Sequence, residues 1–198
     1  VILSRLAEAY RKIRNTVRFI LSNLYDFNPD HDQARYEDFR KIDKWILSRS
    51  NSLINATDQA YNDFEFHKAY KLIYDFCNED LSMYYLDMAK GRLYTYAANS
   101  KERRAAQTAL YVVLNCLVRI ISPILVFTAE EIWQQMKKEK NTEQGQVVSV
   151  HLLDWPVLYA LSEEDKRIEE QLKPLLDLIP EAAKALEEMR AQDEIGSS

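Results

Sequence analysis

From Leu3 to Leu24 the chain reads LSRLAEAYRKIRNTVRFILSNL. Leu3, Leu6, Tyr10, Ile13, Val17, Ile20, Leu21 and Leu24 recur mostly at intervals of three and four, the repeat of a helix that buries one stripe. Asn28-Pro29-Asp30 then stops it, because the residue before a proline is pushed out of the helical region. A helix with one apolar stripe must find partners, and the same period continues along the chain.

Phe39, Ile42, Ile46, Leu53, Ala60, Tyr61 and Phe64 predict a second helix from about Asp32 to a break at Asn62-Asp63. Phe66, Ala69, Tyr70, Ile73, Phe76, Cys77, Leu81, Tyr84 and Met88 predict a third from about Glu65 to Tyr96, interrupted by Ala97-Ala98-Asn99-Ser100. Ser100 has the side chain of an N-cap for a fourth helix, which carries Ala105, Leu110, Val113, Leu114, Leu117 and Ile121 until Pro123 ends or kinks it. A short helix, roughly Thr128 to Lys138, follows. Asn141 to Gln146 reads as a mobile polar loop, and Val147 to Leu153 alternates as a short extended piece ending at Asp154-Trp155-Pro156. Beyond it two acidic helices are expected, Glu163 to Lys173 and Glu181 to Gln192, with Pro174 and Pro180 marking turns. The fold class is therefore all-α: an antiparallel helical bundle over 1–156 with a small C-terminal helical appendage over 157–198.

Composition agrees. Among 198 residues, 47% hydrophobic, only three are glycine and five proline, which favours long helices over turn-rich sheets. Cys77 and Cys116 lie on apolar faces without CxxC spacing or a histidine pair, as buried thiols of a reducing cytosol do. No run approaches the roughly 18 consecutive apolar residues of a membrane span, and Val1 to Tyr10 lacks the order of a signal peptide, so a cytoplasmic protein without a membrane partner is expected.

The sequence holds no GxGxxG, P-loop, GxSxG or HExxH pattern, so catalysis has no visible site and no metal or cofactor set is expected here. His31, His67 and His151 are scattered. Glu130-Glu131 and Glu163-Glu164-Asp165 fall at expected helix starts, where acids suit the helix dipole. No inward Glu-x-x-His pair supports a carboxylate-bridged metal site.

The net charge of -5 conceals an uneven distribution. From Glu163 onward 11 acidic and 5 basic side chains give -6, leaving residues 1–162 at +1. At 100° per residue the first helix places Arg11, Arg14, Asn15 and Arg18 on one face, away from the stripe. Guanidinium forks suit phosphate oxygens and base edges, and an asparagine amide both donates and accepts, a mixture that fits a folded RNA; a merely solvated basic face is the alternative. Lys90, Arg92, Lys101, Arg103 and Arg104 flank the junction of the third and fourth helices, with Gln107 one turn onward, and Tyr94 and Tyr96 nearby have rings on which bases stack or which close a helix end. Phe19 sits off the stripe, for a base or for a neighbouring domain. A protein-interaction bundle using the acidic tail is the other class that these features allow.

Tyr10-Arg11-Lys12-Ile13-Arg14-Asn15-Thr16-Val17-Arg18-Phe19 resembles the start of the anticodon-binding helical domain of isoleucyl-tRNA synthetases, which are class I enzymes. Leu24-Tyr25-Asp26-Phe27-Asn28-Pro29, Asp43-Lys44-Trp45-Ile46-Leu47, Asp80 through Asp87, Arg103 through Thr108, Ser122-Pro123-Ile124-Leu125, Thr128 through Trp133, Ser149-Val150-His151 and Trp155-Pro156 continue the likeness in order. Valyl and leucyl enzymes share the proline and Glu-Glu-x-Trp pattern, while the RNT-x-RF run points to the isoleucyl branch. One departure is Gly91, where that family usually has aspartate.

The resemblance implies an anticodon stem-loop-binding module, inert alone, that positions isoleucine-accepting tRNA for a catalytic domain working with ATP and magnesium. The partners it implies are that tRNA and the catalytic and editing domains; the zinc-binding tail of many bacterial members would lie beyond residue 198. It assigns Arg11, Lys12, Lys90 and Arg104 to phosphates and Arg14, Asn15 and Arg18 to contacts nearer the anticodon bases, with Arg92, Arg103 and Gln107 in the second basic cluster.

Overall fold

The computed structural model describes residues 2–138, 148–192 and 196, and no strand occurs among them. Helix α1 spans Ile2–Asn23, α2 Lys41–Asn62 and α5 Lys101–Ile121. Between α2 and α5 the chain returns through α3 (Phe66–Asp75), a π-helical stretch (Phe76–Tyr85) and α4 (Leu86–Thr95), joined end to end; α6 (Val126–Lys138) follows α5.

Bonds between distant residues give the directions. The Asn23 carbonyl accepts from the Gln107 amide at 2.8 Å, and the Tyr10 and Thr128 hydroxyls meet at 3.1 Å, so α1 opposes α5 and accompanies α6. Arg92 reaches Asp43, and the Tyr61 hydroxyl donates to the Ile120 carbonyl at 2.8 Å, so α2 runs with α5 and against α3–α4. The result is an up-and-down bundle with α5 at its centre. Helix α5 alone among the described helices is long and apolar enough to cross a membrane, but 72% of that apolar window is inside the bundle.

Ile13, Val17, Ile20, Leu21 and Leu24 are buried as the stripe requires, each aliphatic side chain contributing roughly 1.5–3 kcal/mol. Leu6 departs from it, 49% exposed, and so does Phe64, 80% exposed, because both lie at an end of the bundle where no described helix of the same unit continues to cover them.

The helix boundaries also differ in places. Before α2 the chain makes only a short 3-10 turn at Tyr36–Asp38, and α2 starts where the Asp43 carboxylate accepts the Arg40 N–H at 2.9 Å. The break after Asn62 is present, with Phe64 held at φ 57°. The expected third helix changes register inside: the Ser82 hydroxyl donates to the carbonyl of Cys77, five residues back, at 2.7 Å. Ser100 caps α5, accepting from the Arg103 N–H.

The expected extended piece is instead a 3-10 turn at Val150–Leu152. Glu130 accepts both the Ser149 hydroxyl (2.8 Å) and the Val150 N–H (3.0 Å), which ties this backbone to a side chain rather than to a strand. Val147 and the loop Asn141 to Gln146 lie outside the described residues.

The chain divides into two compact units, 1–161 and 162–198. The first runs past Trp155-Pro156, since Asn51 bonds both the N–H and the carbonyl of Tyr159, at 2.7 and 2.9 Å. In the second, a 3-10 turn (Glu164–Arg167) leads into one helix, α7 (Ile168–Ala191), with Pro174 and Pro180 inside it rather than at turns. Proline keeps a helical φ and forfeits one hydrogen bond, and the leucine-, alanine- and glutamate-rich flanks carry the helix through.

Candidate nucleic-acid interface

Helix α1 has three faces. Positions 13, 17, 20 and 21 enter the core; positions 12, 16 and 19 face the π stretch and α4; positions 11, 14, 15 and 18 face outward. Arg11, Asn15 and Arg18 are exposed, with no hydrogen-bond or ion-pair partner among the described residues. Arg14, also exposed, makes a 3.6 Å ion pair with Glu131 of α6, a contact of about 0–1 kcal/mol in water that an RNA phosphate can displace. Arg14 and Arg18 line a shallow groove of about 90 Å³ against Thr128, Glu131 and Gln135. Lys12 is half-buried in the row toward the π stretch, one turn before Thr16, whose hydroxyl meets that of Ser82 at 3.2 Å.

The second basic cluster is only partly a surface cluster: Arg92, Arg103 and Gln107, expected there as RNA contacts, are buried in the bundle. Arg92 is 3% exposed and donates through both terminal nitrogens to Asp43, at 2.8 and 2.6 Å. Asp43, itself fully buried, also accepts the Tyr85 hydroxyl at 2.8 Å. Burial works against the charged guanidinium, but the bonds and charge of Asp43 outweigh it and raise the Arg92 pKa further. Burial pushes the Tyr85 phenol well above its ordinary value.

Arg103 is likewise internal. It clasps the Asp26 carboxylate at 2.6 and 2.9 Å and donates to the Leu93 carbonyl. Gln107, fully buried, donates to Asp26 and to the Asn23 carbonyl, both at 2.8 Å. Arg104 is half-buried and occupied by the Asp26 carbonyl, the Gln107 side chain and Asn99, with Asp32 at 3.6 Å. These groups fasten the end of α1 to the start of α5. Of that cluster Lys90 and Lys101 are exposed, Lys90 pairing with Asp87 at 2.8 Å.

Tyr94, 61% exposed, stands edge-on to Phe19 with ring centroids 6.4 Å apart, which links α4 to the outer flank of α1. Tyr96 lies under the Arg40 guanidinium, 5.9 Å away. An aromatic pair beside an arginine ridge is the kind of surface on which unpaired bases stack.

Asp26, Asp43 and Tyr85, the inward partners, were not singled out from the sequence. The signal was there: Arg103 and Gln107 are in helical phase with Leu110, Leu114 and Leu117, and Asp43 with Ile46, Leu47 and Ser50, all buried. No grouping of His, Cys, Asp and Glu suited to a metal occurs among the described residues. Burial pushes the thiols of Cys77 to about 12 and Cys116 to about 11.

A helical bundle with a solvent-facing arginine and asparagine ridge has the build of a nucleic-acid docking module. Residues 43–198 match the anticodon-binding domain of tRNA ligase, and the chain belongs to that family. It is 46% identical over 197 residues to the isoleucine--tRNA ligase of Caldanaerobacter subterraneus, 47% over 197 residues to that of a Thermoanaerobacter species, and 46% over 199 residues to that of Natranaerobius thermophilus. Each alignment covers 100% of this chain and 20–21% of the relative, so the chain spans about a fifth of the length of the curated relatives it matches.

Proposed function

We propose that this chain is the anticodon-arm-binding part of an isoleucine-tRNA ligase and that the α1 ridge is its RNA-facing surface. The observation that carries the proposal is the outward ridge of Arg11, Arg14, Asn15 and Arg18 on a domain of this family. Phosphates of the stem meet Arg11, Lys12, Arg18 and Lys90; Arg14 and Asn15 lie nearest the splayed loop bases; Tyr94 and Phe19 supply a stacking edge. Held this way, the distant acceptor end reaches a catalytic site elsewhere in the ligase. ATP and magnesium belong to that site, and a zinc-binding tail to a more distal segment. The whole protein works in the cytoplasm.

The test is a binding titration with isoleucine-accepting tRNA against another tRNA. About four neutralised phosphates give a slope of log affinity against log salt of roughly -3. Arg14→Ala combined with Arg18→Ala should weaken binding at least tenfold with the fold intact. Equal affinity for both tRNAs at low salt, or indifference to that double substitution, refutes the proposal.

A further inference from the structure

The groove between α1 and α6 holds two polar side chains beyond the arginine ridge. Its floor is apolar, formed by Val17, Leu21 and Ile132, and its volume of about 90 Å³ admits the edge of one planar ring rather than a whole nucleotide. Arg14 and Arg18 form the wall on α1; Glu131 and Gln135, one turn apart, form the wall on α6. Glu131 stands 3.6 Å from Arg14, beyond ordinary hydrogen-bond length, with the two side chains 54% and 45% exposed. Gln135 is exposed and has no hydrogen-bond partner among the described residues, whereas its neighbour Gln134 donates to Glu130 and to the Val148 carbonyl, at 2.6 and 2.7 Å. One glutamine of α6 thus serves the fold, and the next faces the groove with its amide unused.

A glutamine amide carries a donor beside an acceptor, and a carboxylate only accepts. The amide pairs with an amino group and the ring nitrogen next to it, two atoms that adenine and cytosine present on the edge away from the sugar. The second amino hydrogen then faces Glu131. Guanine and uracil carry a carbonyl oxygen in place of that amino group, and against the carboxylate it would set two acceptors with no proton between them. We propose that the α1–α6 groove receives one unpaired base of the bound RNA, and that Gln135 and Glu131 select adenine or cytosine over guanine or uracil. The inference rests on reading the α1 ridge as the RNA-facing surface. Val17 and Ile132 lie against the ring, Arg18 reaches the adjoining phosphate, and the base displaces Arg14 from Glu131, which a half-exposed pair permits.

The test is a set of binding titrations with the full-length ligase. Isoleucine-accepting tRNA is prepared with each unpaired adenosine of the anticodon loop changed in turn to inosine and each cytidine to uridine, exchanges of an amino group for a carbonyl that keep the ring size. At one of these positions the exchange should weaken binding about tenfold or more. Gln135→Ala and Glu131→Gln should each cut that penalty to about twofold or less. A full penalty in either variant overturns the proposal, as does the absence of any penalised position. Glu131→Gln raising the affinity for every tRNA alike, with the penalty retained, overturns it too, since Glu131 is then only a counter-ion to Arg14. Arg14→Ala with Arg18→Ala separates this proposal from the one it rests on. If that double variant binds as the parent does, the RNA-facing ridge fails and the groove with it; if it binds weakly while no penalty depends on Gln135 or Glu131, the ridge stands and the base-selecting groove fails.

Discussion

Replacing Asp43 by asparagine tests how the centre of the bundle is held. The carboxylate is fully buried and takes two bonds from Arg92, one from Tyr85 and one from the Arg40 N–H. Asparagine keeps the shape and removes the charge, stranding a guanidinium that is 3% exposed. Breaking one side of a buried pair costs about 3–5 kcal/mol, a large part of the roughly 5–15 kcal/mol that holds a typical domain. At about 2–4 °C per kcal/mol, the midpoint should fall by about 6–20 °C. All three tryptophans, Trp45, Trp133 and Trp155, lie in the first unit, so urea unfolding followed by tryptophan fluorescence reports that unit. The slope should stay constant while the midpoint moves. Removing the three polar side chains together, as Asp43→Leu, Tyr85→Phe and Arg92→Met, should restore most of the loss, since a well-packed apolar replacement of a buried pair is often neutral or stabilising. A cost below about 1 kcal/mol for Asp43→Asn, or no recovery in the apolar variant, would refute the reasoning.

Arg92→Gln should lower stability without changing the salt slope of tRNA binding, whereas Arg18→Gln should reduce that slope by about 0.7 and leave stability within about 0.5 kcal/mol; the reverse pattern in a titration over salt would return Arg92 to the RNA surface. Burial alone would raise the Asp26 carboxyl, but the bonds from Arg103 and Gln107 and the charges of Arg103 and Arg104 outweigh it and hold it below the ordinary value. A depressed carboxylate stabilises above its unfolded pKa of about 4 and loses that contribution as pH falls through the lower folded value, so Asp26→Asn should flatten the acid limb of the stability curve, read by urea midpoints at successive pH. A Cβ at Gly91 meets nothing within 4 Å, so Gly91→Ala should stabilise by up to about 1 kcal/mol; a destabilised variant in thermal melts would contradict this. With their pKa values pushed to about 12 and about 11, Cys77 and Cys116 should resist a thiol reagent until the chain unfolds, and fast labelling of native protein would contradict their placement.

The helices were legible because each buries a continuous stripe, and the period of that stripe survives in Ile13, Val17, Ile20 and Leu24 and in Leu110, Leu114 and Leu117. The π turn at Phe76–Tyr85 was not, because Cys77, Leu81 and Tyr84 keep the spacings of four and three that an α-helix also gives. The outward ridge of α1 could be projected from spacing alone. The fate of Arg92 and Arg103 could not be settled from local pattern, since their acids stand 49 and 77 residues away. Charge clustering along a chain says little about which cations are solvated; the partner does, and the fold supplies it.

That distinction separates two uses of arginine in one small bundle. Asp26, held by Arg103 and Gln107, follows immediately on the end of α1, and Gln107 also takes the Asn23 carbonyl, so α1 is fixed in rotation about its axis as well as in position. A quarter turn of α1 would carry Arg11 and Arg18 against α4 or α6 and Val17 into water. The buried cations therefore set the phase in which the exposed ones are presented, and loss of the Asp26 clasp should weaken RNA binding through a ridge that it never touches. In a titration with isoleucine-accepting tRNA, Asp26→Ala should reduce affinity while the salt slope stays near its parent value, because the number of phosphates met is unchanged and only their alignment suffers. A slope falling by about 0.7 or more would mean that a phosphate contact itself had gone, and would refute the role of the clasp as a positioning device.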